Sequence, residues 1–399
     1  MGRWIPPHPI HRAAGLSTLA VVSTAAALAI APAAGAAPSH TSGSPPWRVV
    51  KVFGTPPVPE LEAVTASSPA NAWAAGISSS ALVVKHWNGR GWQGVPVPAH
   101  FNVTPEIFDG DDDVIGSSSA RNVWTFPQDA TGKATTNFAL RWNGSNWQTF
   151  ALRGTLGIFG TAVFSPDNAW AFGQAAPRKH GLGFGPPYVI RFNGNSWRRV
   201  SMPGTALTVS PLSADDIWAF GPTAKTAINT GTAQRRVAMH WNGKSWRTLA
   251  VPRYRLSGHR ALAQALIALG RDDLWAVEGV AAPLCGCKPP SGGLILAHWN
   301  GHRWSLARRD PADILQGSVS SDGHGGLWLQ AEHVASGAFE LLHFGDGRLR
   351  LVAEPSRKGL TPLVTAMALI PRTRSVWAVG DLNNPGGTGS LGAISKFGP

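Results

Sequence analysis

Two carboxylates in this chain could do acid–base work on a glycosidic bond. Glu62 and Asp113 stand at equivalent points of two successive repeats. A glycoside hydrolase or lyase needs such a pair about 5–10 Å apart across the sugar. The second of them closes the run Phe108-Asp109-Gly110-Asp111-Asp112-Asp113. There Asp109, Asp111 and Asp113 gather hard oxygen ligands that would also suit calcium. No motif demands either chemistry, so no cofactor is expected, with calcium the one conceivable exception. Bases of opposite sign follow further on: Arg178, Lys179, Lys225, Arg235, Arg236, Arg253, Arg255 and Arg260, which would suit an anionic ligand.

Other reaction classes lack their residues. Cys285 and Cys287 form a C-x-C pair, too tight for an unstrained disulfide, and His298 is the one ligand of zinc type nearby downstream. The pair reads as a loop feature. No G-x-S-x-G elbow, P-loop, dinucleotide fingerprint or zinc-protease helix occurs. Basic loops without an aromatic stacking platform give only salt-sensitive, non-specific contact with nucleic acid.

The elements that must carry these residues are repeats. An apolar residue followed by Trp recurs about every 50 residues, at Trp73, Trp124, Trp170, Trp218, Trp275, Trp328 and Trp377, the period of a propeller blade. A second half-motif follows: KHWNGRGW, LRWNGSNW, IRFNGNSW, MHWNGKSW and AHWNGHRW, with Trp87, Trp142, Trp241 and Trp299 in its first aromatic slot. The sixth copy weakens to LHFGDGRL and the seventh stops at KFGP. Each copy parses into four strands, with Asn-Gly marking a hairpin in which both residues accept positive φ. Arg260 to Leu269, rich in Ala and Leu, would suit a helix, but the repeat register makes it a strand.

The seventh copy lacks its last strand, and Trp47-Arg48-Val49-Val50 supplies the missing type and phase. The chain is therefore expected to be all-β, a seven-bladed β-propeller over residues 46–399, closed by an N-terminal strand that completes the last blade. The repeated tryptophans are expected to pack between blades. The residue before each third-strand aromatic is basic: His86, Arg141, Arg191, His240, His298, His343 and Lys396. These seven are expected to pair with turn residues such as Asp167, Asp215 or Asp272. The repeated turns share one rim, and the divergent loops share the other. That variable rim should be acidic near Glu60, Glu62 and Asp109–Asp113 and basic over the third to fifth copies.

The copies resemble the kelch and galactose-oxidase-like propeller superfamily, including the endings VPVP and SMP. They depart from it in having one glycine, not two, after the second strand (Gly76, Gly173, Gly221, Gly380), and in lacking the usual third-strand tyrosine. The copper-radical chemistry of galactose oxidase is not implied: only Tyr188 and Tyr254 are present, with no matching spacing around the cysteines. The resemblance implies a fold and no particular activity.

Residues 1–37 read as a secretory signal peptide, with Arg3 and Arg12 before a weakly apolar run and Ala34-Gly35-Ala36 as cleavage site; 38–45 would be a linker. Losing Arg3 and Arg12 lowers the formal charge from +13 to +11. The composition points to a secreted, monomeric binding module without a membrane span. Its partner would be an extracellular polysaccharide, a cell-wall polymer or a protein. The alternative is a carbohydrate-active enzyme using Glu62 and Asp113.

Overall fold

The computed structural model describes residues 47–54, 58–79, 81–98, 115–129, 136–175, 186–223, 236–256, 259–260, 262–279, 293–354, 357, 360–383 and 390–399. The chain divides into a leading unit, Met1–Gly43, and a second, Ser44–Pro399. The signal-peptide and linker expectations, Cys285 and Cys287 lie outside the described residues. No described helix is long and apolar enough to cross a membrane.

The second unit is a seven-bladed β-propeller. Six blades are antiparallel sheets whose strands follow chain order from the inside outwards. Blade 1, for example, runs Glu60–Ser68, Asn71–Ser78, Ala81–Trp87 and Trp92–Val95. In blade 7 the order is Thr361–Leu369, Val376–Asn383, Ser390–Phe397 and then Arg48–Phe53 from the other end of the chain. Arg48 pairs with Lys396, and Phe53 with Gly392. Every first strand touches the first strand of the next blade, and that of blade 7 touches blade 1, so the ring is closed.

Burial explains the composition of each strand. The second strand lies between neighbouring blades and is apolar on both faces; all of Asn71–Ser78 and of Asp216–Pro222 is buried. The fourth strand faces water, and Trp246–Ala250 carries Arg and Thr outward. Leu262–Gly270 is a strand, as the register required.

The Asn-Gly turns differ from expectation. Only the glycines take positive φ: Gly89, Gly144, Gly194, Gly243 and Gly301, at 87–102°. Four residues, not two, separate the paired aromatics Trp87 and Trp92. The asparagine instead folds its side chain back: Asn88 Oδ1 accepts from the main-chain N–H of Arg90 at 3.0 Å and of Gly91 at 3.1 Å. The two-residue turn with both φ positive occurs in blade 6 alone among these, where Gly345 pairs with Arg348 around Asp346 (51°) and Gly347 (69°).

The single glycine after the second-strand Trp has a different cause. A Cβ on Gly76, Gly173 or Gly380 would lie 1.9 Å from a carbonyl oxygen of the first strand, and on Gly221 2.0 Å from Thr205 O, just before that strand begins. In blades 1, 3 and 7 a first-strand bulge lies beside the carbonyl, as between Leu61 and Ala63.

Candidate functional site: the groove between blades 4 and 5

A row of three side chains crosses every blade near the rim of repeated turns. Strand pairing sets Trp218 opposite His240 and His240 opposite Arg247; the corresponding rows are Trp170–Arg191–Arg198, Trp328–His343–Arg350 and Trp377–Lys396–Arg48. The middle base lies against the indole. His86 stacks on Trp73 at 4.0 Å and His240 on Trp218 at 4.2 Å, while the Arg191 guanidinium sits 5.2 Å from the Trp170 ring centre.

The base is anchored one residue later than the sequence suggested. His86 Nε2 meets Asn71 Oδ1 at 2.8 Å, Arg191 Nε donates to Asn168 at 3.1 Å, and His240 and His298 meet Asp216 and Asp273 at 2.8 Å. Asp167, Asp215 and Asp272 do not hydrogen-bond the bases, though Asp167 lies within electrostatic reach of Arg141 and Arg191. Period-two alternation decides this: the anchor stands two residues before the Trp and shares its face, whereas the preceding turn residue points to the other. Blade 6 uses its turn residue Asp322, at 2.9 Å from His343.

At six seams the second-strand Trp also meets the third-strand aromatic of the next blade. The ring pairs are Trp73–Trp142, Trp124–Phe192, Trp170–Trp241, Trp275–Phe344, Trp328–Phe397 and Trp377–Trp87, with centres 4.6–6.4 Å apart. Among the described residues, Trp218 and Trp299 form no such pair. A cleft of about 230 Å³ opens there, lined by Trp218, His240, Arg247, Thr248, Leu249, Arg271, Asp272, Trp299 and Gly301. Arg271 lines this cleft and has no equivalent in blades 1 to 4. Its place in the turn, four residues before the Trp, is held by Pro69, Ala120, Pro166 and Ala214 in blades 1 to 4. The long guanidinium reaches back across the seam, and Nε donates to Asp216 Oδ2 at 3.2 Å.

This groove has recognisable chemistry. Half-buried Trp299 offers an apolar wall, and exposed Arg247, Arg271, Thr248 and Asp272 stand at the mouth with donors and acceptors. Trp218 Nε1 is buried without an acceptor, as are Trp124, Trp275, Trp328 and Trp377 Nε1, so the indole donor belongs to the repeat and not to the groove. Drug-sized ligands fill about 300–1,000 Å³, so this cleft suits a single ring of a larger ligand.

The opposite rim holds carboxylates of unusual acidity. Burial, then Glu60 and Asp381, pushes Glu62 up to about 8. Burial and Glu60 raise Asp381 to about 7. Burial alone does most of this for Glu278, also about 7, while Glu340 adds to burial at Glu354 (about 7). Burial, Asp310 and Glu340 raise Asp313 to about 6. Four stand at strand ends and Glu354 just beyond one, on the variable rim of blades 5, 6, 7 and 1.

The sequence candidates are only partly brought together. Asp109, Asp111, Asp113, Arg178, Lys179, Lys225 and Arg235 lie outside the described residues. Glu62 keeps company with Glu60 and Asp381. Arg236 opens the third strand of blade 4, Arg253 and Arg255 are exposed, and Arg255–Leu256 pairs with His259–Arg260 in a short ribbon. The Tyr188 hydroxyl donates to Arg153 O at 3.4 Å under the Arg199 guanidinium. No described group of three His, Cys, Asp or Glu could hold a metal. Sequence reasoning missed Asp381, Glu278, Arg247, Arg271 and the groove itself.

No family model and no curated protein sequence matches the chain. Solved structures share the fold. A streptogramin B lyase has 12% identity and a TM-score of 0.53, over 88% of this chain and 97% of its own. A catalytically inactive virginiamycin B lyase from Staphylococcus aureus, with quinupristin, has 10% identity and the same score of 0.53 over 87% and 99%. An ulvan lyase, a polysaccharide lyase bound to -[GlcA(1-4)Rha3S]-, has 12% identity and 0.51 over 84% and 93%. These likenesses establish the propeller architecture of this chain.

Proposed function

We propose that this protein is a secreted, monomeric carbohydrate-binding propeller that does not transform its ligand, and that it takes one sugar ring of an extracellular polymer in the groove between blades 4 and 5. The observation that carries this reading is the opened seam: an indole wall at Trp299 with exposed Arg247, Arg271 and Asp272 around one ring-sized cleft. Sugars present apolar C–H faces and a fringe of hydroxyls, and this combination answers both. The similar ulvan lyase binds a glycan on a propeller of the same kind. The kelch-type affiliation rests on the Trp and Asn-Gly repeat and carries no activity with it.

A catalytic reading has one observation in its favour. Glu62 is held protonated near neutral pH beside Asp381 and Glu60, as an acid beside a base would be. A single experiment separates the two. The protein is titrated with neutral and acidic oligosaccharides, binding is followed by indole fluorescence, and the glycan is then sized. Binding of intact glycan that Trp299→Ala weakens at least tenfold supports the groove. Shortened chains that disappear in Glu62→Gln would replace this reading with the enzymatic one.

A further inference from the structure

The positive charge of this protein is arranged as well as large. The residue after the fourth-strand Trp, or its equivalent, is Arg198 in blade 3, Arg247 in blade 4, Arg350 in blade 6 and Arg48 in blade 7, all exposed. Blades 1 and 2 carry Gln93 and Gln148 there. Blade 5 has Ser305 at this point, followed by exposed Arg308 and Arg309 on the same strand. Asp310 is the sole acid in the described fourth strands, and it pairs with Arg308 at 3.5 Å. Among the described residues, Arg198, Arg247 and Arg350 make no salt bridge. The outer wall is therefore basic over blades 3 to 7 and neutral over blades 1 and 2.

Two of these bases also face another base. Pairing sets Arg198 directly opposite Arg191, and Arg48 directly opposite Lys396, whose pKa is lowered by burial and then by Arg48. Like charges placed opposite one another across strands oppose folding. Arg48 donates to Gly398 O, Lys396 to Pro399 O, and Arg191 lies within electrostatic reach of Asp167, so the fold compensates these pairs in part, and an anionic ligand laid over them would remove the remaining repulsion. The groove lies within this arc, and Arg247 belongs to both.

We infer that the ligand is a linear anionic polysaccharide, carboxylated or sulfated, which seats one ring between blades 4 and 5 and continues along the arginines of the outer wall. The inference rests on the groove reading for the seated ring, and on the fourth-strand arginines for the charge. A polymer suits the arrangement because blades 3, 4, 6 and 7 present an arginine at the same pairing position, with Arg308 and Arg309 of blade 5 between them. Each anionic group that meets an arginine releases counterions, so affinity falls with salt in proportion to the number of contacts. Helical nucleic acid shares the charge but lacks the exposed sugar ring that the groove takes.

The test uses polygalacturonate, its methyl-esterified neutral form, a short DNA duplex and the whole protein. The polyuronate should bind at least tenfold more tightly than its ester at low salt. Arg198→Gln with Arg350→Gln, both away from the groove, should lower polyuronate affinity about tenfold and reduce the salt slope by about 1 to 2. The same variant should leave binding of the neutral ester as it was. Trp299→Ala should instead weaken both polymers and keep the salt slope. Equal affinity for polyuronate and ester, an unchanged salt slope in the double variant, or duplex DNA competing at equal charge would each overturn the inference. Loss of the Trp299 effect alone would sink the groove reading and leave the basic wall standing.

Discussion

At the scale of single residues, the most informative groups are those whose surroundings change their acidity. Glu62 at about 8 and Asp381 at about 7 face one another across the seam that joins blades 7 and 1. Their folded values lie above the ordinary carboxylate range of the unfolded chain, so the folded protein holds protons that the unfolded chain has released. Stability is unaffected below about pH 4.5 and declines as pH climbs from there to about 8, where the loss is complete. A pH series of thermal melts should therefore show these groups lowering Tm steadily from about pH 4.5 to pH 8. Glu62→Gln, which keeps the shape and removes the titration, should recover about 1–2 kcal/mol at pH 8, allowing for the part of Glu62 that still meets water. An equal decline in wild type and variant would show that this seam is not its source. None of this was readable from the chain: Glu62 was visible as a candidate, but its neighbour Asp381 lies more than three hundred residues away.

At the scale of elements, strand identity followed from the sequence because each blade repeats the same alternation and the same turn residues. Even the Ala- and Leu-rich segment before Asp272 obeyed the register and not its own propensity. What the repeat could not convey is departure from the repeat. Trp218 and Trp299 look like all their counterparts, and the opening between them is accompanied by Arg271, which stands where blades 1 to 4 have Pro or Ala and reaches Asp216 in the preceding blade. The substitution is visible in the sequence once the copies are aligned; the partner it chooses is set by packing between blades. The glycine after the second-strand Trp makes a firmer element-level prediction. Gly221→Ala drives a Cβ to 2.0 Å from Thr205 O, and neither backbone can yield without breaking its ladder. A loss of about 2–4 kcal/mol is expected in denaturant melts. A loss below about 1 kcal/mol would mean that the segment around Thr205 relaxes freely.

At the scale of the whole molecule, the ring is closed by Arg48–Phe53 lying against Ser390–Phe397, with Trp47 packed at 5.2 Å from Trp328 and 5.5 Å from Phe397. Removing residues 47–53 exposes the edge of Ser390–Phe397 and uncovers two rings of the blade 6–7 seam. Such a truncation should melt at lower temperature and associate through the bare edge, as size-exclusion chromatography would show. A truncated chain that stays monomeric with an unchanged Tm would mean that the six complete blades hold the ring unaided. The same pairing also orders events in time. The strand made near the start of the chain has no partner until residues 390–397 exist, more than three hundred residues later in synthesis. Blades can form one after another as the chain emerges, but the circle cannot be fastened until the end. Until Ser390–Phe397 has been made, the nascent propeller is an open arc of blades in which the Arg48–Phe53 strand has no ladder to join.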